Sequence, residues 1–416
     1  MIVHLFNSGI VSGPEKLVLP ALKSLEREAG APVYVIFLEE QRLGENATRA
    51  TAYAQALGLR VKSIEVCGRV DIEASKRLAQ LLDELAPAVI HAHDVKATSY
   101  GLLARYFSDH SFPVVSTHHG VKGRPDLRSR GYEYFYRYCL LPFCDQVFAV
   151  SREDAETLRR WPFLRGKIFL HLNGIAAPSS SLQRDRRQAL AAWGERENIL
   201  SIGWVGRLSP EKRPELMIEI ADRLRSLSQL KRIPWKILLF GEGELRESLE
   251  RKIRELGLQT RVALKGFHPD IALQYRGFDV VVNTSKNEGL SIALLEAAFA
   301  ERALCITMTG GAKDLVPAKS FGTTVSTRAS AQQFALELAP LLTSESLRVQ
   351  LGKGVARRAV SRFTEERWVR ELCEAYETFF LLRIPSSLPC LDGQYRCLEK
   401  RHWPSKMNEG NELLMT

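Results

Sequence analysis

The chain has no run approaching the ~18 consecutive apolar residues that a bilayer-spanning helix needs, which excludes a transmembrane segment of that kind. It has no C-x-x-C pair. Its seven cysteines are scattered and odd in number, which argues against a full disulfide framework and leads us to expect a reducing, cytoplasmic setting. The opening M-I-V-H-L-F-N lacks the basic-then-apolar layout of a secretory signal and enters a strand-like run at once. No recognised nucleic-acid-binding module accompanies the net charge of +10, so nucleic acid is not an expected partner. The anionic candidates that remain are membrane lipid and a phosphorylated substrate.

What is present is a repeating alternation of short β-branched runs with helical stretches. In the first half these runs are Ile2 to Phe6, Val33 to Leu38, Val61 to Val66, Ala88 to His91, Pro113 to Ser116 and Gln146 to Val150. Alternation of this kind predicts a parallel sheet with helices on both faces. Around Ala176 to Arg187 it lapses into Ser-rich, charged sequence and resumes at Ile199, continuing through Trp235 to Phe240, Arg261 to Leu264, Asp279 to Asn283, Ala303 to Thr307 and Thr323 to Val325. The expected organisation is therefore α/β, with two Rossmann-like parallel-sheet domains facing across a cleft. The expected boundaries are 1–176, a linker 177–197, a second domain 198–362, a terminal helix 363–384 and a weakly ordered tail 385–416. A chain of 416 residues, 45% hydrophobic, can bury two such cores.

Two clusters carry the chemistry. Between Asn287 and Glu296 the chain reads N-E-G-L-S-I-A-L-L-E, with a strand before it and an apolar helix behind it. Gly289 then sits at a strand-to-helix turn, where free backbone N–H groups can hold a phosphate. Glu288 would lie in the turn facing the reacting sugar, and Glu296, two turns deeper, could take both hydroxyls of a ribose. Upstream, I-L-S-I-G-W-V ends in G-R-L-S-P-E-K-R-P. There Gly206 allows a sharp turn, and Arg207 and Lys212 bring two cations to the carboxyl ends of the strands, where ligands bind in such sheets.

In this order and spacing, several short segments resemble the family 4 glycosyltransferases of the GT-B fold. They are N-S-G-I-V-S-G-P-E-K (Asn7 to Lys16), H-A-H-D (His91 to Asp94), S-T-H-H-G (Ser116 to Gly120), A-V-S-R (Ala149 to Arg152), L-N-G-I (Leu172 to Ile175), V-G-R-L-S-P-E-K (Val205 to Lys212), F-G-E-G-E-L-R (Phe240 to Arg246), K-G-F (Lys265 to Phe267), the Glu288 to Glu296 element and T-G-G-A-K-D (Thr309 to Asp314). Short motifs match by chance, but coincidences at fixed separations multiply.

The resemblance implies a retaining enzyme that moves a sugar from a nucleotide diphosphate, UDP or GDP, to a glycan or lipid-linked acceptor in bacterial cell-envelope polysaccharide or lipopolysaccharide synthesis. It also implies a final helix that crosses back to the first domain. Its catalytic set is His119, Arg207, Lys212 and Glu288. Its donor-binding set is Gly13, Gly206, Gly289, Leu290, Ser291, Glu296, Gly310 and Gly311, with Asp314 where the family often has an acidic residue. Gly9 belongs to the same first-domain loop, where Pro14 removes one N–H donor relative to the family's paired glycines. His118 is read as a structural or neighbouring polar residue, His93 with Asp94 as similar in placement to His119 but weaker in role, and His91 as mostly buried on its strand. No metal or other cofactor is expected, because the histidine spacing lacks a carboxylate or thiolate set.

Arg124, Arg128, Arg130 and Arg137 mingle with Tyr132, Tyr134, Phe135, Tyr136, Tyr138 and Leu140, a mixture suited to a lipid headgroup boundary and equally to a partly buried helix. A non-catalytic sugar-nucleotide or glycan binding subunit, or a GT-B enzyme of other chemistry, are the competing readings.

Overall fold

The computed structural model describes residues 1–8, 11, 13–68, 70–119, 127–178 and 183–381, with the backbone alone at 8, 45, 46, 127–130 and 378–381. The β-branched runs form two parallel sheets. The first contains β1 (Ile2–Ser8), β2 (Val33–Glu40), β3 (Arg60–Val66), β4 (Val89–Ala92), β5 (Val114–His118), β6 (Gln146–Ala149) and β7 (Ile168–Leu170), in the order β3-β2-β1-β4-β5-β6-β7. The second contains β8 (Leu200–Val205), β9 (Trp235–Phe240), β10 (Val262–Gly266), β11 (Val280–Asn283), β12 (Ala303–Thr307) and β13 (Thr323–Val325), in the order β10-β9-β8-β11-β12-β13. In each sheet the direction of winding reverses once, between β1 and β4 and between β8 and β11. Loops leaving the strands on either side of such a switch point part and open a crevice.

Strand alternation assigns the faces of the first sheet. Ile2 and Phe6 pack in one core with Val89 and Val115, while Val3, Leu5 and Ile90 pack in the core on the opposite face. By the same period of two, His4, His91, His93, Thr117 and His119 fall on the first of these faces. The crossing helix covers it: Glu365–Leu381 places Trp368, Leu372 and Tyr376 in this core. The chain crosses where Ile175 N–H donates to the Phe363 carbonyl and Glu365 N–H to the Ile175 carbonyl, each at 3.0 Å.

The segment read as linker is partly built into the second domain. It contains the helix Arg186–Ala192, opened by a capping box between Asp185 and Gln188. That helix is followed by Trp193, which stacks on Phe278 at 4.7 Å in the second domain's core. Its surrounding Ser and charge hid a helix that buries only Ala189 and Leu190. Residues 382–416, including the expected tail, lie outside the described residues, as do Gly9, Gly120 and Arg124.

Candidate functional site

The site is built from turns that follow β8 and β11, which pair directly in the sheet. Thr284 ties the two turns together, its hydroxyl donating to the Lys212 carbonyl at 2.8 Å, and Lys286 N–H donates to the Glu211 carbonyl at 2.9 Å. Behind them, Gly206 N–H donates to the Phe240 carbonyl and Leu208 N–H to the Glu242 carbonyl, both at 3.0 Å. A third turn thus buttresses the first. It needs glycine at 241, where φ is +137° and a Cβ would collide with the Gly206 carbonyl. This packing fixes the turn that carries Arg207. The Arg207 side chain is exposed and makes no hydrogen bond or ion pair among the described residues.

Lys212 and Glu288, 76 residues apart in sequence, are in contact as an ion pair, Nζ to Oε1. The other carboxylate oxygen of Glu288 accepts from Asn283 Nδ2 at 3.0 Å. Burial pushes the Glu288 carboxyl up, but the Lys212 charge and hydrogen bonds from Lys212, Ser285 and Asn283 outweigh it and hold the group below the usual carboxylate range. Glu288 is therefore ionised at neutral pH. It is suited to bind and orient, and poorly suited to act as a general acid.

Glu296 is the opposite case. It lies on the helix Ile292–Phe299, and desolvation there raises its carboxyl to about 7, opposed by Tyr275 and by the charge of Lys16. Lys16 comes from the first domain and also lies over the Phe267 ring of the second, 5.4 Å from its centroid. Ser291 stands at the N-cap of the Ile292–Phe299 helix but makes no side-chain capping bond. The first-turn N–H groups are thus left to another acceptor. Leu290 beside it is buried in the second core.

The first domain meets this turn closely. A Cβ on Gly289 would stand 3.0 Å from Val150 Cγ2 and 3.2 Å from the His119 carbonyl oxygen, and one on Gly13 would reach Ile292 Cδ1 at 4.0 Å. His119, Gly13, Gly289 and the start of the Ile292–Phe299 helix therefore border one crevice. Asn173 Nδ2 donates to the Leu290 carbonyl at 3.0 Å, and Arg152 N–H donates to Asp314 at 2.9 Å. The T-G-G-A-K-D segment, helical over Gly310–Leu315, packs as a spacer between these parts. Gly311 lies against the backbone of Gly289 and Leu290, where any Cβ would collide, and a Cβ on Gly310 would stand 3.3 Å from Ser151 Oγ.

The two adjacent histidines have different surroundings. His118 is buried, with Nδ1 2.6 Å from Asp154 and Nε2 3.0 Å from Glu133. Burial would lower its pKa, but Asp154 and Glu133 override that and raise it to about 9. His91, as expected, is buried, bonded at 2.6 Å to both the Tyr376 hydroxyl and the Thr117 hydroxyl. Nitrogens of His4, His91 and His93 come within 4.8 Å of one another, a grouping that sequence spacing does not reveal because His4 lies on another strand. Both His91 nitrogens are already engaged, and His4 Nδ1 lies 2.8 Å from His93 Nε2, so the cluster is wired as a hydrogen-bonded set rather than aimed at one ion.

The basic aromatic segment divides. Tyr132, Tyr134 and Phe135 are exposed, whereas Tyr136 and Leu140 are buried and Arg137 Nε is paired with Glu133 at 2.6 Å. Tyr138 links this segment to exposed Trp161, ring centroids 4.4 Å apart, next to exposed Phe163 and Arg160. Nothing local in the sequence marks this second loop as a neighbour. Tyr275, Asn283 and Ser285 likewise stand outside the motifs, and of these only Asn283, closing the β11 run, carries a signal in the sequence. No helix among the described residues is long and apolar enough to cross a membrane.

Comparisons with known proteins agree with this architecture. Residues 11–177 match the family described as Glycosyltransferase Family 4, and residues 185–358 match Glycosyl transferases group 1. EpsD of Bacillus subtilis, named as a candidate glycosyltransferase, is 27% identical over 73% of this chain and 80% of its own length. A Campylobacter jejuni α-1,4-N-acetyl-D-galactosaminyltransferase, named for an undecaprenol-diphosphate-linked substrate, is 26% identical over 58% of this chain and 63% of its own. The crystal structure of Anabaena Alr3699/HepE in complex with UDP-glucose superimposes with a TM-score of 0.74 at 20% identity, covering 91% of this chain and 99% of that one. The two matched families occupy the two sheets in turn, with the crevice between them, and the chain belongs to the group 1, family 4 glycosyltransferases of the GT-B fold.

Proposed function

We propose that the protein is a retaining hexosyltransferase that moves a sugar from a nucleoside diphosphate, UDP or GDP, to a glycan or lipid-linked acceptor in cell-envelope polysaccharide synthesis. The observation that carries this reading is the Lys212–Glu288 pair, set between the turns after β8 and β11 beside an uncapped helix start. As the bond from the anomeric carbon to the phosphate oxygen breaks, its electron pair goes to the diphosphate. Arg207, Lys212 and the free N–H groups before Leu295 would stabilise that charge. The acceptor hydroxyl attacks the same face of the sugar, and its proton passes to the departing phosphate oxygen. Ionised Glu288 holds donor hydroxyls and keeps Lys212 in place, His119 bonds the sugar, and Glu296 takes the ribose. Gly13, Gly206, Gly310 and Gly311 shape the walls. No step needs a metal or another cofactor.

The relatives support the substrate classes: HepE was crystallised with UDP-glucose, and the Campylobacter enzyme's name describes a lipid-linked substrate. Peripheral attachment at the inner membrane face fits the exposed Tyr134, Phe135, Trp161 and Phe163 beside Arg160. A thermal-shift screen against UDP-, GDP-, ADP- and CMP-linked sugars tests the donor, because a ligand bound only by the folded state raises its apparent Tm. Proton NMR of the product then reads the anomeric configuration. If no nucleotide sugar shifts the melting curve, the proposal fails at its first step.

A further inference from the structure

His4 and His93 are both fully buried and both held neutral, desolvation lowering the pKa of each, that of His4 to about 3. They share one hydrogen bond, His4 Nδ1 to His93 Nε2 at 2.8 Å. Two neutral imidazoles carry two N–H groups between them, and this contact uses one. If His4 donates, the proton of His93 sits on Nδ1 and has no partner. If His93 donates, Nδ1 is a lone pair with no partner and His4 Nε2 carries the unused proton. Neither His93 Nδ1 nor His4 Nε2 has a hydrogen-bond partner among the described residues. In either tautomer His93 Nδ1 needs a polar group, because a buried nitrogen left without one forfeits the hydrogen bond it makes to water in the unfolded chain.

The place where that need arises is informative. His4 lies mid-strand in β1, opposite His91 in β4, whereas His93 lies just past the carboxyl end of β4. Its ring stacks on Phe6 at 4.3 Å and lies 5.8 Å from the His119 ring. His119 in turn has its backbone against the Gly289 turn. The unanswered nitrogen is thus at the switch point of the first sheet, one ring away from the residue assigned to the transferred sugar. A sugar hydroxyl both donates and accepts, so it satisfies His93 in either tautomer.

We propose that His93 Nδ1 binds a hydroxyl of the transferred sugar, making His93 a second first-domain contact beside His119, with His4 as the positioning residue that fixes the ring. This rests on the nucleotide-sugar reading above. The test uses the full-length protein and whichever nucleotide sugar most raises its Tm, titrated by calorimetry beside the matching free nucleoside diphosphate. His93→Phe keeps the stack on Phe6 and removes both nitrogens, and is expected to weaken nucleotide-sugar binding roughly tenfold, the size of one hydrogen bond, while diphosphate affinity stays within about twofold. His93→Asn, which places an amide near the lost Nδ1, should recover much of the difference even though it loses the bond to His4. Equal losses for both ligands, no loss for either, or no recovery with Asn would each overturn the assignment and leave a buried water as the partner. Wild-type protein that binds the diphosphate but gains nothing from the sugar also refutes it, without touching the donor reading. Wild-type protein that binds no nucleotide removes the donor reading and this proposal together.

Discussion

The carboxyl edges of the two sheets carry different chemistry. Around β8 and β11 the polar groups are charged and paired, as in Lys212 with Glu288, and they sit on turns locked together by backbone hydrogen bonds. Around β4 and β5 most of the polar groups are neutral imidazoles stacked on one another and on Phe6 and Phe148, with the hydroxyls of Thr117 and Tyr376 between them. Charge suits an anionic diphosphate, and neutral hydrogen bonding suits a sugar that must be held without repelling the positive character growing on its ring. His118 breaks the pattern on the first side. It is a buried cation, but Asp154 and Glu133 close around it, so it serves the wall rather than the crevice.

The most direct way to break the comparison is Lys212→Ala. If the second edge acts by charge, transfer should fall ~10²–10³-fold, measured as nucleotide release with a saturating donor. The buried Glu288 carboxylate would lose its partner, so a melting curve must accompany the assay. A variant within a few-fold of wild type would show that the diphosphate is held elsewhere.

His118 gives the next largest effect, and it appears in stability. Its folded pKa, about 9, lies above the unfolded value near 6.5. The group therefore contributes stability that is fully present below pH 6.5 and is lost as pH rises through 9. His118→Asn should melt lower than wild type by an amount on the order of a few kcal/mol at pH 6, and the gap should narrow toward pH 10. A gap independent of pH would mean that His118 packs without carrying charge.

Much of this was legible in the sequence because it depends on periodicity. The strands from β1 to β6 and from β8 to β13 follow from β-branched runs, and the turn at Gly289 from a strand followed by an apolar helix. Three-residue β7 has only one β-branched residue, whereas the equally short β13 is β-branched throughout, and the Arg186–Ala192 helix is masked by its charged flanks. Pairings set only by tertiary folding were hidden. Lys212 was expected to face a phosphate, but its contact with Glu288 depends on β8 lying beside β11. The need of His93 for a partner depends on His4, which is 89 residues away. Spacing locates a functional turn, while the electrostatic state of its side chains emerges only from neighbours that the topology supplies.

Glu296 sharpens the contrast with the smallest expected effect. Its carboxyl is raised to about 7, mainly by desolvation, against an ordinary value of 4.5. The sign is again a loss with rising pH, because the folded state holds a proton that the unfolded chain releases between pH 4.5 and 7, so above pH 7 the ionised carboxylate is a cost to the empty fold. Glu296→Gln should therefore raise the Tm of ligand-free protein at pH 8 by a few degrees, an effect on the order of 1–2 kcal/mol, and should change it little at pH 4.5. The same substitution should weaken nucleotide binding several-fold at pH 8, since an amide replaces a charged acceptor for the ribose hydroxyls. Wild-type affinity should itself decline as pH falls below 7 and the carboxylate takes up its proton. If the variant melts lower at pH 8, Glu296 is held ionised by Lys16 and Tyr275 after all; if it binds nucleotide as tightly as wild type, the side chain serves packing rather than recognition.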